Sequence, residues 1–252
     1  MAPSIDLIGS GNVATQLALA LKEQGVEVNC VYARNPERAS MLGSVLHAPV
    51  DYISAIPANG PMMIMAISDD AIREVSQSIS SSRLIAHTSG AVSMDALAQE
   101  ERAVFYPLQT FSKLKKAEWS TLPILIEAST PAFASELEAL GHALSSNVKR
   151  INSQQRKQLH IAAVMVNNFT NHLYHLSDEL LRKNGMDLDL LKPLILETAS
   201  KIETMTPFEA QTGPASRKDV HTINEHLSLL AQNQELQELY AQLTESILKH
   251  HE

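Results

Sequence analysis

Three stretches of the sequence carry residue types whose spacing suits chemistry. The first is Gly9-Ser10-Gly11-Asn12-Val13-Ala14, which follows the strand-like Ser4–Ile8 and opens an alanine-rich helical pattern over 12–24. In that setting Gly9 permits a tight turn, Gly11 lets the backbone approach a pyrophosphate, and Ala14 lets helix and strand pack closely. The helix N-terminus then offers free N–H groups to the phosphates. The alternative is a plain strand–helix turn with incidental glycines. About 20 residues on, where an NAD site carries an acid for the ribose 2′-hydroxyl, the chain has Arg34. A guanidinium suits the 2′-phosphate of NADP, while Glu37 lies close enough to keep NAD open.

The second stretch comprises strand ends, where ligands bind in open α/β sheets. Ser68-Asp69-Asp70 follows the apolar run 61–67, and Ser68 reads equally as a ribose neighbour or a helix cap. His87-Thr88-Ser89-Gly90 packs an imidazole, two hydroxyls and a glycine into four residues, with Ser89 and Gly90 the first candidates for contacts near nicotinamide or substrate. The aromatics and proline of 105–111 read as a cleft wall or as core.

The third is residues 160–175, H-I-A-A-V-M-V-N-N-F-T-N-H-L-Y-H. At about 100° per residue, His160, Asn167, Asn171 and His175 share one side, Asn168 and His172 widen it, and Ile161, Ala162, Met165, Val166, Phe169 and Leu173 take the other. No charged residue occurs from Leu159 to Ser177. Solvated helix faces use Lys and Glu, better helix formers than Asn or His. This stripe is therefore expected to face a ligand, a domain junction or a buried network between helices. Zinc is not expected at His172, His175, His221 and His226, because zinc sites add Cys or carboxylate ligands and the single Cys30 is remote in sequence.

The elements that must hold these residues alternate through the first 150 positions. Apolar runs at 4–8, 28–33, 61–67, 84–87, 103–106 and 122–127 read as strands, too continuously apolar to have a wet face. Helical patterns at 12–24, 36–42, 70–80, 93–98 and 131–144 separate them, two opened by Asn35-Pro36 and Thr130-Pro131. A doubly wound, mostly parallel α/β sheet follows. From about residue 152 only helical patterns remain, at 153–183, 188–204, 219–230 and 233–250. The expected domains are 1–151, dinucleotide-binding, and 152–252, all-helical.

At 252 residues, 44% hydrophobic, 19% charged and with a net charge of −8, the chain is globular and offers no basic stripe for nucleic acid. One cysteine, no secretory leader pattern and no run long enough for a membrane span lead us to expect a soluble, cytoplasmic protein without nucleic-acid or membrane partners.

The segments GSGNVATQLA, ARNPERA, AISDDAI, HTSGAV, YPLQTF and TGPASRKD occur in that order. In them the chain resembles the provisionally named NADP oxidoreductases, which pair a Rossmann-like domain with a ketopantoate-reductase-like helical one. It is more distantly similar to pyrroline-5-carboxylate reductases and β-hydroxyacid dehydrogenases. The resemblance implies NADP, a cleft between the domains, and a helical domain that dimerises. Some related dehydrogenases use a lysine of the long helix as acid; here Lys157 precedes His160 and no lysine stands among the asparagines. In the rigid Gly213-Pro214 loop, Thr212 and Arg217 are donors, and Arg217 either clamps a substrate carboxylate or pairs with Asp219.

The expected function is an NADP-dependent oxidoreductase acting on a small carbonyl, imine or hydroxy-acid compound, working as a homodimer. Gly9, Ser10, Gly11, Asn12, Val13, Arg34, Ser68 and His87 are the expected cofactor contacts. His160 is the expected proton donor, with Asn167, Asn171 and Ser89 around the reacting atoms and Gly90, Asn168, Thr212 and Arg217 on the substrate. The rival from another class is an NADP(H)-binding sensor without turnover.

Overall fold

The computed structural model describes residues 4–251. They form two compact units, one running to Asn168 and the other beginning at Phe169. The first holds one eight-stranded sheet: β1 (Ser4–Ile8), β2 (Glu27–Ala33), β3 (Val50–Tyr52), β4 (Met62–Met65), β5 (Ile85–His87), β6 (Arg102–Pro107), β7 (Ile124–Ala128) and β8 (Val148–Arg150). Their order is β3-β2-β1-β4-β5-β6-β7-β8. Every neighbouring pair is parallel except β6–β7. This is the doubly wound, Rossmann-like sheet expected from the alternation of elements.

The strands read as unbroken apolar runs because both faces are covered. Helices α1 (Asn12–Glu23), α2 (Pro36–Leu46) and α4 (Pro131–Leu144) bring Leu17, Leu42 and Leu137 onto one face with Leu7, Val31 and Phe105. The short helix α3 (Ile72–Gln77) brings Ile72 and Val75 onto the other with Ile8, Met63 and Met65. The Pro-led starts hold: Asn35 accepts from the Arg38 N–H and Thr130 from the Phe133 N–H.

Several boundaries differ from expectation, each for a physical reason. α2 continues through Gly43 to Leu46, because a glycine there lets the helix lie against Val50; a β-carbon would sit 2.2 Å from that side chain. β3 and β8 escaped the sequence reading, being three-residue edge strands with charged residues among them. The helix expected at 70–80 is a 3₁₀ turn, Asp69–Ala71, followed by α3. The helix expected at 93–98 is only the 3₁₀ turn Met94–Ala96.

One charge stands inside the sheet. Asp6, fully buried in β1, receives Arg83 Nη2 at 2.6 Å and Asn29 Nδ2 at 2.9 Å. Arg83, also buried, donates further to the carbonyls of Pro57 and Pro61. A buried pair of this kind stays tolerable only while both members are present.

The long helical pattern is α5 (Ser153–Ala163), a π-helical segment Val164–Phe169, and α6 (Thr170–Lys183). α5 belongs to the first unit, and a reciprocal capping box between Asn152 and Gln155 starts it. The second unit continues from α6 through α7 (Lys192–Lys201), α8 (Pro207–Ala210), α9 (Val220–Leu229) and α10 (Gln234–His250). Its apolar side chains are largely uncovered: Leu190, Leu194, Leu196, Ile202, Phe208 and Leu229 are all exposed. No helix among the described residues is long and apolar enough to cross a membrane.

The Asp6–Arg83 pair yields a stability test. Arg83→Ala should cost about 3–5 kcal/mol, since it leaves a buried carboxylate unpaired. Urea unfolding followed by Trp119, the single tryptophan and part of the first unit, reads the loss directly. A loss below about 1 kcal/mol would mean that water takes over the arginine's place.

Candidate functional site

The strand order reverses around β1, which has β2 on one side and β4 on the other. At the carboxyl ends of these strands such a reversal leaves a crevice, and a cavity of about 670 Å³ lies there. Gly9 leaves β1 with φ +115°, and a β-carbon on it would meet the Ala66 carbonyl oxygen at 2.3 Å. Only glycine fits that turn. Gly11 is the opposite case, with nothing within 4 Å of the place its β-carbon would take. Space is left open above it.

Gly11 is also the N-cap of α1, with no side chain bonded to the first-turn N–H groups and no acid in that turn. The free amides and the positive end of the helix dipole are thus uncompensated beside the cavity. Of the expected cofactor residues, Gly9, Ser10, Gly11, Asn12, Val13, Arg34 and Ser68 all line it. Ser68 stands at an N-cap position, yet its hydroxyl caps nothing. Arg38, not singled out from the sequence, joins Arg34 at the β2 end. Both arginines are exposed and neither forms an ion pair among the described residues, whereas Glu37 does not line the cavity. These features fit the diphosphate and ribose phosphate of a dinucleotide.

His87 is placed differently. It is fully buried; Thr88, its neighbour, lines the cavity instead. The His87 Nδ1 accepts the Ser89 N–H at 3.1 Å, which leaves the proton on Nε2, and that atom has no partner at hydrogen-bond geometry. Burial, then the nearby Arg156 charge, push its pKa down to about 4, opposed in part by the backbone at Ser93. Ser89 is also committed locally, its hydroxyl accepting from the N–H groups of Ala91 and Val92.

A second cavity of about 480 Å³ lies in the same unit, at the end of β6, and His160, Asn167 and Asn168 line it with Tyr106. The Tyr106 hydroxyl and His160 Nδ1 are 3.2 Å apart, the rings edge to face. Burial raises the tyrosine pKa. Gly90 closes behind them: a β-carbon would lie 2.6 Å from both His160 Nδ1 and Tyr106 Cζ. The loop 88–90 thus lines the first cavity through Thr88 and packs behind the wall of the second through Gly90. Asn171, Thr212 and Arg217 belong to the second unit.

The 100° projection does not survive the π-helical segment. There the i→i+5 pattern shifts the phase of the side chains, and Val166, assigned to the apolar side, lines the same cavity as His160 and Asn167; Ala162, of the same side, lines it from the end of α5.

The residue that sequence reading missed altogether is Arg156. It is fully buried in α5, with Nη2 and Nε on Glu127 of β7 at 2.9 and 3.2 Å, and Nη1 on the Gly90 and Val92 carbonyls at 3.0 and 2.7 Å. Nothing in the local pattern separates it from a surface arginine. Among the described residues no group of three or more His, Cys, Asp or Glu is placed to hold a metal ion.

Comparison with known proteins follows the same lines. The family described as "Domain of unknown function (DUF2520)" matches residues 122–247. A provisionally named NADP oxidoreductase from Bacteroides fragilis is 37% identical over 98% of each chain, with a TM-score of 0.89. A reductive aminase from Aspergillus terreus, solved with NADPH and ethyl levulinate, shares 16% identity over 99% of this chain and 95% of that one, with a TM-score of 0.71. The 1-pyrroline-5-carboxylate reductase of Streptococcus pyogenes shares 13% identity over 98% and 99%, with a TM-score of 0.65. No curated protein matches.

Two tests arise from this geometry. Gly11→Val should leave stability within about 1 kcal/mol while closing the space above the turn, so NADPH binding collapses. Gly9→Ala should instead cost more than about 2 kcal/mol through its left-handed φ and the clash with Ala66. Denaturation paired with nucleotide titration separates them, and unchanged NADPH binding in the Gly11 variant would reduce the motif to a turn.

His87 sets a pH dependence. Its folded pKa lies below the ordinary 6.5, so between about pH 6.5 and 4 the unfolded chain binds a proton that the folded chain refuses. The stability it contributes is present above 6.5 and lost as pH falls toward 4. From pH 7 to pH 5 the wild type should lose about 2 kcal/mol more than His87→Asn. Parallel losses in urea titrations at the two pH values would refute the assignment.

Proposed function

The chain belongs to the DUF2520 family and to that of the Bacteroides fragilis protein, and on that premise we propose that it is an NADP-dependent oxidoreductase. It transfers hydride to or from a small carbonyl, imine or hydroxy-acid compound. The observation that carries this reading is the cavity at the strand-order reversal, with an uncapped helix N-terminus at one end and two unpaired arginines at the other. Phosphate meets free N–H groups at the first, and a 2′-phosphate meets Arg34 and Arg38 at the second. NADPH is preferred over NADH because the lining has two cations and no acid there.

Bound nicotinamide supplies or accepts the hydride. The chain's own residues position substrate and manage one proton. His160 is the source of that proton, with Asn167 and Asn168 beside it to orient the substrate. Ser89 and Gly90 form the loop that closes the nicotinamide end. The functional division stays at 1–151 for the cofactor and 152–252 for the helical domain. The uncovered apolar side chains of the second unit support a homodimer built through it. Cys30, buried and with its pKa raised by burial, suits a reducing, cytoplasmic setting.

Cofactor choice is the direct test. Arg34→Ala and Arg34→Ala/Arg38→Ala should weaken NADPH by about ten- to hundredfold while leaving NADH within about twofold, since only the former loses a charge-assisted contact. Equal loss for both would remove the preference for NADP. Firm NADPH binding with no turnover across a broad carbonyl and imine panel would favour a sensor.

A further inference from the structure

Charge is missing from the second cavity. Its apolar lining is Leu108, Leu159, Ala162, Ala163, Val164 and Val166; Gln109, Thr110, Asn167 and Asn168 are neutral amides and a hydroxyl, and Tyr106 and His160 are the sole titratable groups. Of the two cations of α5, Lys157 is exposed and does not line the cavity, and Arg156, one helical turn before His160, is spent. Its Nε and Nη2 serve Glu127 and its Nη1 serves the Gly90 and Val92 carbonyls, all within a fully buried site. A carboxylate entering the cavity would shed water without meeting a positive partner, which is costly. A neutral carbonyl or imine needs only one or two hydrogen bonds and an apolar wall.

We propose that this cavity is a substrate subsite for an uncharged, apolar-bodied carbonyl or imine, and that the Tyr106 hydroxyl meets its reacting oxygen or nitrogen. The proposal rests on the reductase reading above and narrows its substrate class. In the reducing direction the substrate carbon gains a hydride from the reduced nicotinamide, which is oxidised. The C=O or C=N π bond breaks, and its electron pair takes the Tyr106 proton to give an alcohol or amine. The tyrosinate is refilled through His160 Nδ1, 3.2 Å away, and the half-exposed imidazole recovers its proton from water. Burial keeps the phenol protonated until that transfer. Gly90 fixes the geometry, because any side chain there would wedge the pair apart.

The test uses the intact protein loaded with NADP⁺ and a matched ligand pair, 4-phenyl-2-butanone and 2-oxo-4-phenylbutanoate, in titration calorimetry. The ketone should bind at least about tenfold more tightly than the oxoacid. Val166→Lys, at an exposed position on the cavity wall, should move that ratio toward the oxoacid. Tyr106→Phe should hold the ketone within about twofold yet lower kcat with NADPH by roughly a hundredfold. Tighter oxoacid binding in the wild type would overturn the subsite; so would a ketone that fails to bind, or full turnover in Tyr106→Phe. The reductase reading fails separately: it falls if neither NADPH nor NADH binds, and the subsite then falls with it.

Discussion

A single buried guanidinium holds the site together. Arg156 reaches from the first turns of α5 to Glu127 in β7 and to the carbonyls of the loop after β5. A cation so deep is tolerated because a carboxylate and aligned carbonyl dipoles surround it. Its consequence is geometric. With that loop fixed, Gly90 presses against Tyr106 and His160, and Thr88 reaches the neighbouring cavity. The same charge helps keep His87 neutral. Strand, loop and helix could not share this arrangement if the guanidinium were solvated.

The two cavities of the first unit divide the electrostatic labour. One gathers free amides, a helix dipole and two unpaired arginines in a chain whose net charge is −8, so its positive potential is local and suited to phosphate. The other has no permanent charge and a mostly apolar wall. Loop 88–90 runs between them, with Thr88 lining the first and Gly90 packed against the Tyr106–His160 pair that lines the second. The π-helical segment adds to this by turning residues of both helix faces toward one space.

Much was legible in the sequence, for reasons that are local. Gly9 and Gly11 announce a turn because only glycine accepts a positive φ or an approaching ligand; Asn35-Pro36 and Thr130-Pro131 announce helix starts because their caps are satisfied within four residues. Continuous apolar strands announce a sheet covered on both faces. These signals sufficed for the doubly wound fold, for the helical character of the second half, and for grouping seven residues that line the cavity at the strand-order reversal.

The tertiary structure alone decided the rest. His87 looked like a ligand by its strand-end position, yet it turns inward, where the loop after β5 offers its imidazole a backbone N–H two residues on. Arg156 and Arg83 look like any surface arginine, and only strands some 30 and 77 positions away supply the carboxylates that bury them. The Asn–His stripe lost its regular phase to a π segment that no periodicity foretells. Short-range steric and capping rules are written into adjacent residues, whereas the fate of a charge or a polar side chain depends on partners that arrive through the fold.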